Sequence, residues 1–135
     1  MTSRATGRPA AGECDARLAS PMARWLGFET TERADVFRMR FAPHHIGNPF
    51  IRALHGGAVA ALIEFAAEYA VTAAAGRARL VSSAVDYIRV TRDADVLARV
   101  DTVRIGRRLA FVDVWCWQDG EDVPVARGSC SLRIL

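Results

Sequence analysis

Polar and apolar positions follow two different rhythms along this chain. From Ala58 to Ala75 nothing interrupts a helix, and Ala and Leu, the strongest helix formers, fill most positions, so one long helix is predicted over 58–75. It is apolar nearly all round, where a surface helix would carry a single apolar stripe, and so should be surrounded by other structure. Its polar exceptions, Glu64, Glu68 and Thr72, recur every fourth residue and line one edge. After Gly76 the rhythm changes to period two, predicting strands at 79–90, 96–104, 108–117 and 123–134. Turns are predicted at 92–95, at 105–107 and at Asp119-Gly120, the last a strong hairpin signal. Before the helix, Phe37, Met39 and Phe41 alternate with charged neighbours and predict a first strand over 33–41, followed by a loop over 42–48. Within 13–26, Leu18, Met22, Trp25 and Leu26 fall at helical spacing interrupted by Pro21, with Gly27 as a stop, which predicts a short helix or two turns. One strand, a long helix, then four strands joined by tight turns make an antiparallel α+β domain.

The central helix also carries the candidate chemistry. A carboxylate inside protein is costly to keep charged, so it is paired, shifted in pKa, or placed where chemistry uses it. Glu64 is the sharper candidate for such use, with Glu68 one turn on either lining the same site or forming an ion pair at an interface. Thr72, two turns on, is expected only to pack. Gly56 and Gly57 precede the helix, where N–H groups lack intrahelical acceptors and the missing side chains let a carbonyl or anion approach. Gly56 and Glu64 are separated by roughly 12 Å of helical rise, too far for one small reacting group to touch both in one chain. A two-fold partner would bring Glu64 of one copy to the Gly56 corner of the other and create two equivalent sites. His55, directly before the helix, is expected to anchor the loop through its imidazole and to be kept neutral by the helix dipole.

These residues resemble the PaaI-like group of hotdog-fold acyl-CoA thioesterases. The resemblance rests on Asn48, the run His55-Gly56-Gly57, Leu62 and Glu64, and extends to 21–27, to Val85-Asp86-Tyr87-Ile88-Arg89 and to 106–110. It implies a five-stranded antiparallel sheet wrapped round the long helix, paired subunits, and active sites at the dimer seam. It further implies that the Gly56 N–H is an oxyanion donor, that Glu64 is a general base or nucleophile, and that Asn48 helps place the thioester or water. Substrate-contacting positions expected around these are His55, Gly57, Glu68, Ser82, Ser83 and Arg89; family members often place a water-orienting hydroxyl on the strand after the helix. Helix-to-strand length varies, so the register leaves open which of Ser82 and Ser83 faces the site or whether either is an ordinary strand residue. The chain departs from the family in using Glu where Asp is commoner, and in spacing Asn48 seven residues before His55, one more than usual. The implied activity is hydrolysis of an acyl-CoA, with coenzyme A as part of the substrate and no further cofactor. The rivals are an acyl-CoA binding or sensing protein without catalysis, and a hydroxyacyl dehydratase, whose motif of a His followed by a Pro-Gly turn before the helix is absent.

Composition narrows the partners. At 135 residues the chain fits one domain over 13–135, preceded by a loose tail over 1–12 that is small, polar and rich in Pro and Gly. All eighteen basic residues are Arg, yet they are scattered and give a net charge of only +3, which does not make a nucleic-acid stripe. Arg89, Arg92, Arg107 and Arg108, at strand ends and turns, are candidates to hold coenzyme A phosphates. Cys14, Cys116 and Cys130 show no metal spacing and fit a reducing compartment, so a cytoplasmic location is expected. His44-His45 lacks a third ligand at useful spacing. Two Glu near the middle of the long helix argue against a membrane span. A homo-oligomer is expected, dimer or tetramer.

Overall fold

The computed structural model describes Cys14 and residues 18–135; the tail expected over 1–12 lies outside these. Helix α1 spans Pro21–Leu26, and Pro21, read above as an interruption, instead opens it. Proline suits the first helical turn, where its missing N–H costs no bond. The Ser20 side chain accepts the Ala23 N–H at 3.1 Å, and Gly27, at φ 71°, closes the helix in the left-handed region.

Strands β1 (Phe28–Thr30) and β2 (Val36–Met39) follow as an antiparallel pair. β1 makes the main sheet six-stranded, one strand more than expected, because three residues are too few to register as an alternating pattern. A 3-10 turn (Pro43–His45) leads to a small hairpin of β3 (Ile46–Asn48) and β4 (Ala53–Leu54), where a loop alone was expected. Helix α2 spans Gly56–Ala75, so both glycines lie inside its first turn. Four long strands complete the chain: β5 (Ala78–Tyr87), β6 (Val96–Ile105), β7 (Leu109–Trp117) and β8 (Pro124–Ile134). The sheet order is β1-β2-β6-β7-β8-β5, antiparallel at every pairing, which leaves β5 as an edge strand.

α2 lies in the concave face of this sheet. Val59, Leu62, Ile63, Ala66 and Ala67 are sealed against Val96, Ala98, Val112, Val114, Ala126 and Leu132. Small residues on the sheet set the approach distance: a Cβ added at Gly128 would stand 2.4 Å from Ile63 Cγ2. By length and composition α2 could cross a membrane, but its apolar face is spent on the sheet. Its enclosure within the chain is only partial. Gly57, Ala60, Ala61, Glu64 and Glu68 form an arc that the sheet leaves half-buried or exposed. Thr72 has left that arc. Four residues overshoot a full helical turn by about 40°, so two such steps carry Thr72 into the core, fully buried and with its hydroxyl unbonded among the described residues.

Candidate active site

The site is positioned by an irregularity in β5. Up to Leu80 the even positions face α2, with Ala78 buried and Leu80 half-buried. A bulge between Leu80 and Ser82 inserts one residue, Val81, and reverses the alternation. Beyond it the odd positions Ser83, Val85 and Tyr87 face the helix. Ser83 Oγ donates to Glu64 Oε2 at 2.8 Å, while Ser82 stays exposed on the other face. Ser83 is thus the serine that meets the carboxylate, a point the sequence left open because the length between helix and strand does not fix the register.

Glu68 is engaged differently. Its Oε2 accepts the Leu80 backbone N–H at 2.8 Å, a donor beside the bulge. The two carboxylates on one edge of α2 therefore clamp the two sides of one backbone defect, one through a main-chain amide and the other through a hydroxyl. A main-chain donor is fixed, whereas a hydroxyl can rotate and share its own lone pairs.

At the start of α2, the N–H groups of Gly56 and Gly57 meet no acceptor among the described residues, as first-turn donors do. The carbonyl of Gly56 is held by Tyr87, whose hydroxyl donates to it at 2.8 Å. Tyr87 is a site residue that the motif reading missed; only the strand register after the bulge would have found it. Asn48, Gly56, Tyr87 and Arg89 line one cleft of about 380 Å³, together with Leu54, Val59 and Ile88. Asn48 Oδ1 accepts the Phe50 N–H at 3.1 Å and so shapes the loop at the mouth of the cleft. Arg89 Nη1 donates to the Pro124 carbonyl at 2.5 Å. Glu64 does not line this cleft. The chain thus brings Asn48, Gly56 and Arg89 together, pairs Glu64 with Ser83, and keeps the two groups apart.

The loop before α2 is anchored by a different histidine from the one expected. The His55 ring makes no capping hydrogen bond; it lies against Gly47, where an added Cβ would come within 2.7 Å of Nδ1. The anchor is His45, fully buried. Its Nδ1 accepts the Ala42 N–H at 3.1 Å, which leaves Nε2 to donate to the Trp25 carbonyl 2.9 Å away, and its own carbonyl accepts the His55 N–H at 2.8 Å. Burial is the main force holding the His45 pKa below the ordinary histidine value, against the contrary pull of the Trp25 carbonyl. His44 turns to the same Trp25 carbonyl at 2.6 Å. Among the described residues no three His, Cys, Asp or Glu side chains come together in a way that would hold a metal ion.

The phosphate candidates separate as well. Arg92 is paired with Asp119. Arg107 and Arg108 have no ion-pair partner among the described residues and border, with Arg104, a groove of about 490 Å³. Phe65 and Tyr69 pack against Phe28 and Phe37 in the core, while Phe50 is 95% exposed. The Cys116 thiol is pushed up to about 12 by burial, which removes it as a nucleophile.

Comparison with known proteins gives this arrangement a family. No curated protein sequence matches the chain. Among solved structures, a protein of the thioesterase superfamily is 30% identical with a TM-score of 0.79, covering 91% of this chain and 97% of its own. A mutant of the phenylacetic acid degradation protein PaaI from Thermus thermophilus is 26% identical at a TM-score of 0.75, covering 86% of this chain and 100% of its own. The E. coli PaaI protein from the phenylacetic acid degradation operon shares the fold at a TM-score of 0.77 and 16% identity, covering 93% of this chain and 91% of its own. The family model described as "Acyl-CoA thioesterase N-terminal domain" matches residues 46–133, which span the Gly56 corner, all of α2 and β5 with its bulge. The chain therefore belongs to the hotdog-fold acyl-CoA thioesterase family and is PaaI-like.

Proposed function

We propose that the protein hydrolyses an acyl-CoA thioester at a site shared by two copies, in which the Gly56 corner of one subunit faces Glu64 of the partner subunit. The observation that carries this reading is the Glu64–Ser83 pair, set on the flank of α2 that its own sheet leaves open and beside the free edge of β5. Distances along the two elements agree with a two-fold partner. Glu64 and Gly56 differ by roughly 12 Å along α2. Their strand partners, Ser83 and Tyr87, differ by roughly 13 Å along β5. A two-fold axis at Val85, midway between Ser83 and Tyr87, would bring Gly56 of each copy to the level of Glu64 in the other. Gly57, Ala60 and Ala61 on the open flank are small enough for a second helix to come close.

In this site the thioester carbonyl oxygen accepts the Gly56 N–H, and the helix dipole adds to the field. The Glu64 carboxylate takes a proton from water as the water oxygen bonds to the carbonyl carbon. The tetrahedral intermediate then collapses, the C–S bond breaks, and the thiolate of coenzyme A leaves and takes up a proton. In the alternative course Glu64 attacks directly and the resulting anhydride is hydrolysed. The Ser83 hydroxyl occupies Oε2 and fixes the carboxylate, which leaves Oε1 for water or carbonyl carbon. Asn48 and Arg89 in the cleft wall are placed to contact the acyl-CoA, and Arg107 and Arg108 remain available to its phosphates.

The test is a panel of aromatic and medium-chain acyl-CoAs with a thiol-detecting reagent. Release of free thiol at a rate well above spontaneous hydrolysis is expected for at least one of them. Binding of acyl-CoA without thiol release would overturn the hydrolase and leave a binding protein.

A further inference from the structure

We propose that Tyr87 is a positioning residue for the oxyanion donors, holding the Gly56–Gly57 peptide so that the Gly57 N–H acts beside that of Gly56. This rests on the hydrolase reading and extends it to a residue and a donor to which that reading gives no part in oxyanion binding. The Gly56 carbonyl and the Gly57 N–H are two ends of one planar amide, so whatever fixes the oxygen fixes the hydrogen. Tyr87 donates to that oxygen at 2.8 Å. A donor at the oxygen draws electron density through the amide and strengthens the N–H at its other end, by about 10–30% on condensed-phase estimates.

Packing supports the same assignment. A Cβ at Gly56 would stand 3.3 Å from Tyr87 Cζ and 3.4 Å from the phenolic oxygen, so the ring lies flush against the Gly56 α-carbon. Gly57 is the opposite case, for a Cβ there would meet nothing within 4 Å. Glycine is a poorer helix former than alanine, and no neighbour among the described residues demands it here. Gly57 is exposed on the open flank beside Gly56, where the proposed site would admit the thioester carbonyl. Tyr87 owes its place to the bulge at Val81, which also turns Ser83 toward Glu64. One inserted residue thus orients both halves of the site.

Tyr87→Phe keeps the ring and removes the hydroxyl. On whichever acyl-CoA the wild type hydrolyses, kcat should fall about tenfold, the scale of one hydrogen bond, with KM within about twofold. Thermal stability should stay within about 2 °C. The Gly57 amide proton resonance should move upfield, which reads the polarisation of the peptide independently of turnover. Tyr87→Ala should lower kcat at least as far and also raise KM by opening the cleft. A Tyr87→Phe enzyme with kcat within twofold of wild type overturns the proposal, whether or not the amide resonance moves. Loss of kcat with an unmoved Gly57 resonance overturns it too, since the effect would then bypass the peptide. An inactive wild type would retract the hydrolase reading first, and the role of Tyr87 with it, while the resonance would still report the hydrogen bond.

Discussion

The two flanks of α2 are nearly equal in helix propensity and opposite in fate. On the sheet side Leu62, Ile63, Ala66 and Ala67 are fully buried, and the approach is so close that Gly128 can carry no side chain against Ile63. On the other side Gly57 is exposed, and Ala60, Ala61, Glu64 and Glu68 are only half-buried. The first flank fills volume with Leu62 and Ile63 and lets the sheet approach at Ala66 and Ala67. The second uses small side chains to leave room, and spends its two carboxylates on the bulge in β5. A helix apolar all round is thus not always one that its own chain encloses; here half of its surface holds the fold and half is kept for something else.

The division can be broken from either side. Leu62→Ala on the sealed flank should cost about 2–5 kcal/mol in denaturant unfolding, because it removes buried methyl groups and leaves a cavity that the sheet cannot close. A cost below about 1 kcal/mol would mean that the flank is not packed as described. Glu64→Ala on the open flank should do the reverse: turnover falls at least about a hundredfold, near 2.7 kcal/mol of barrier, while melting temperature and oligomeric state hold. Retention of most of the activity would take Glu64 out of the mechanism.

A smaller effect reports on the loop that aims the Gly56 corner. His45 is neutral in the fold and its pKa lies below the unfolded value, so the unfolded chain binds the proton more readily. Stability from this group is present above about pH 6.5 and is lost as pH falls through that value toward the folded pKa. The slope is limited to about 1.4 kcal/mol per pH unit for one proton. Unfolding measured at about pH 7.5 and about pH 5.5, on either side of the unfolded value, should show this loss, and His45→Gln should flatten it. An equal pH dependence in the variant would assign the effect elsewhere.

Much of the fold was legible in sequence, for reasons that also explain the misses. α2 and the four strands after it are long enough for period to speak, and Gly76 and Asp119-Gly120 mark limits among them. β1 and the β3–β4 hairpin, at two to three residues per strand, are set by tertiary pairing and leave no periodic trace. In the candidate site, Gly56 and Glu64 were readable because a carboxylate on an apolar helix and a glycine pair at its start are costly unless used. Ser83 and Tyr87 were not separable from their neighbours, since the residue that decides their direction, Val81, is an ordinary strand residue that the ladder leaves over. His45 was hidden for another reason. Its partners, Trp25 and Ala42, are backbone groups, and no side-chain pattern announces them.

The central claim is that Gly56 and Glu64 act across two chains, and mixing two inactive variants tests it most directly. Glu64→Ala removes the carboxylate. Gly56→Pro removes the donor N–H; its backbone suits the first helical turn, because His55 at φ −58° and ψ 130° already has the conformation that precedes proline, while its Cβ presses on the Tyr87 ring at 3.3 Å and adds to the loss at that one site. Each variant alone should be nearly inactive. After co-refolding, half of the dimers pair one variant with the other and contain one intact site, so about a quarter of wild-type activity should return. No recovery, with mixed dimers verified by mass, would place both groups in one chain's site and contradict the account.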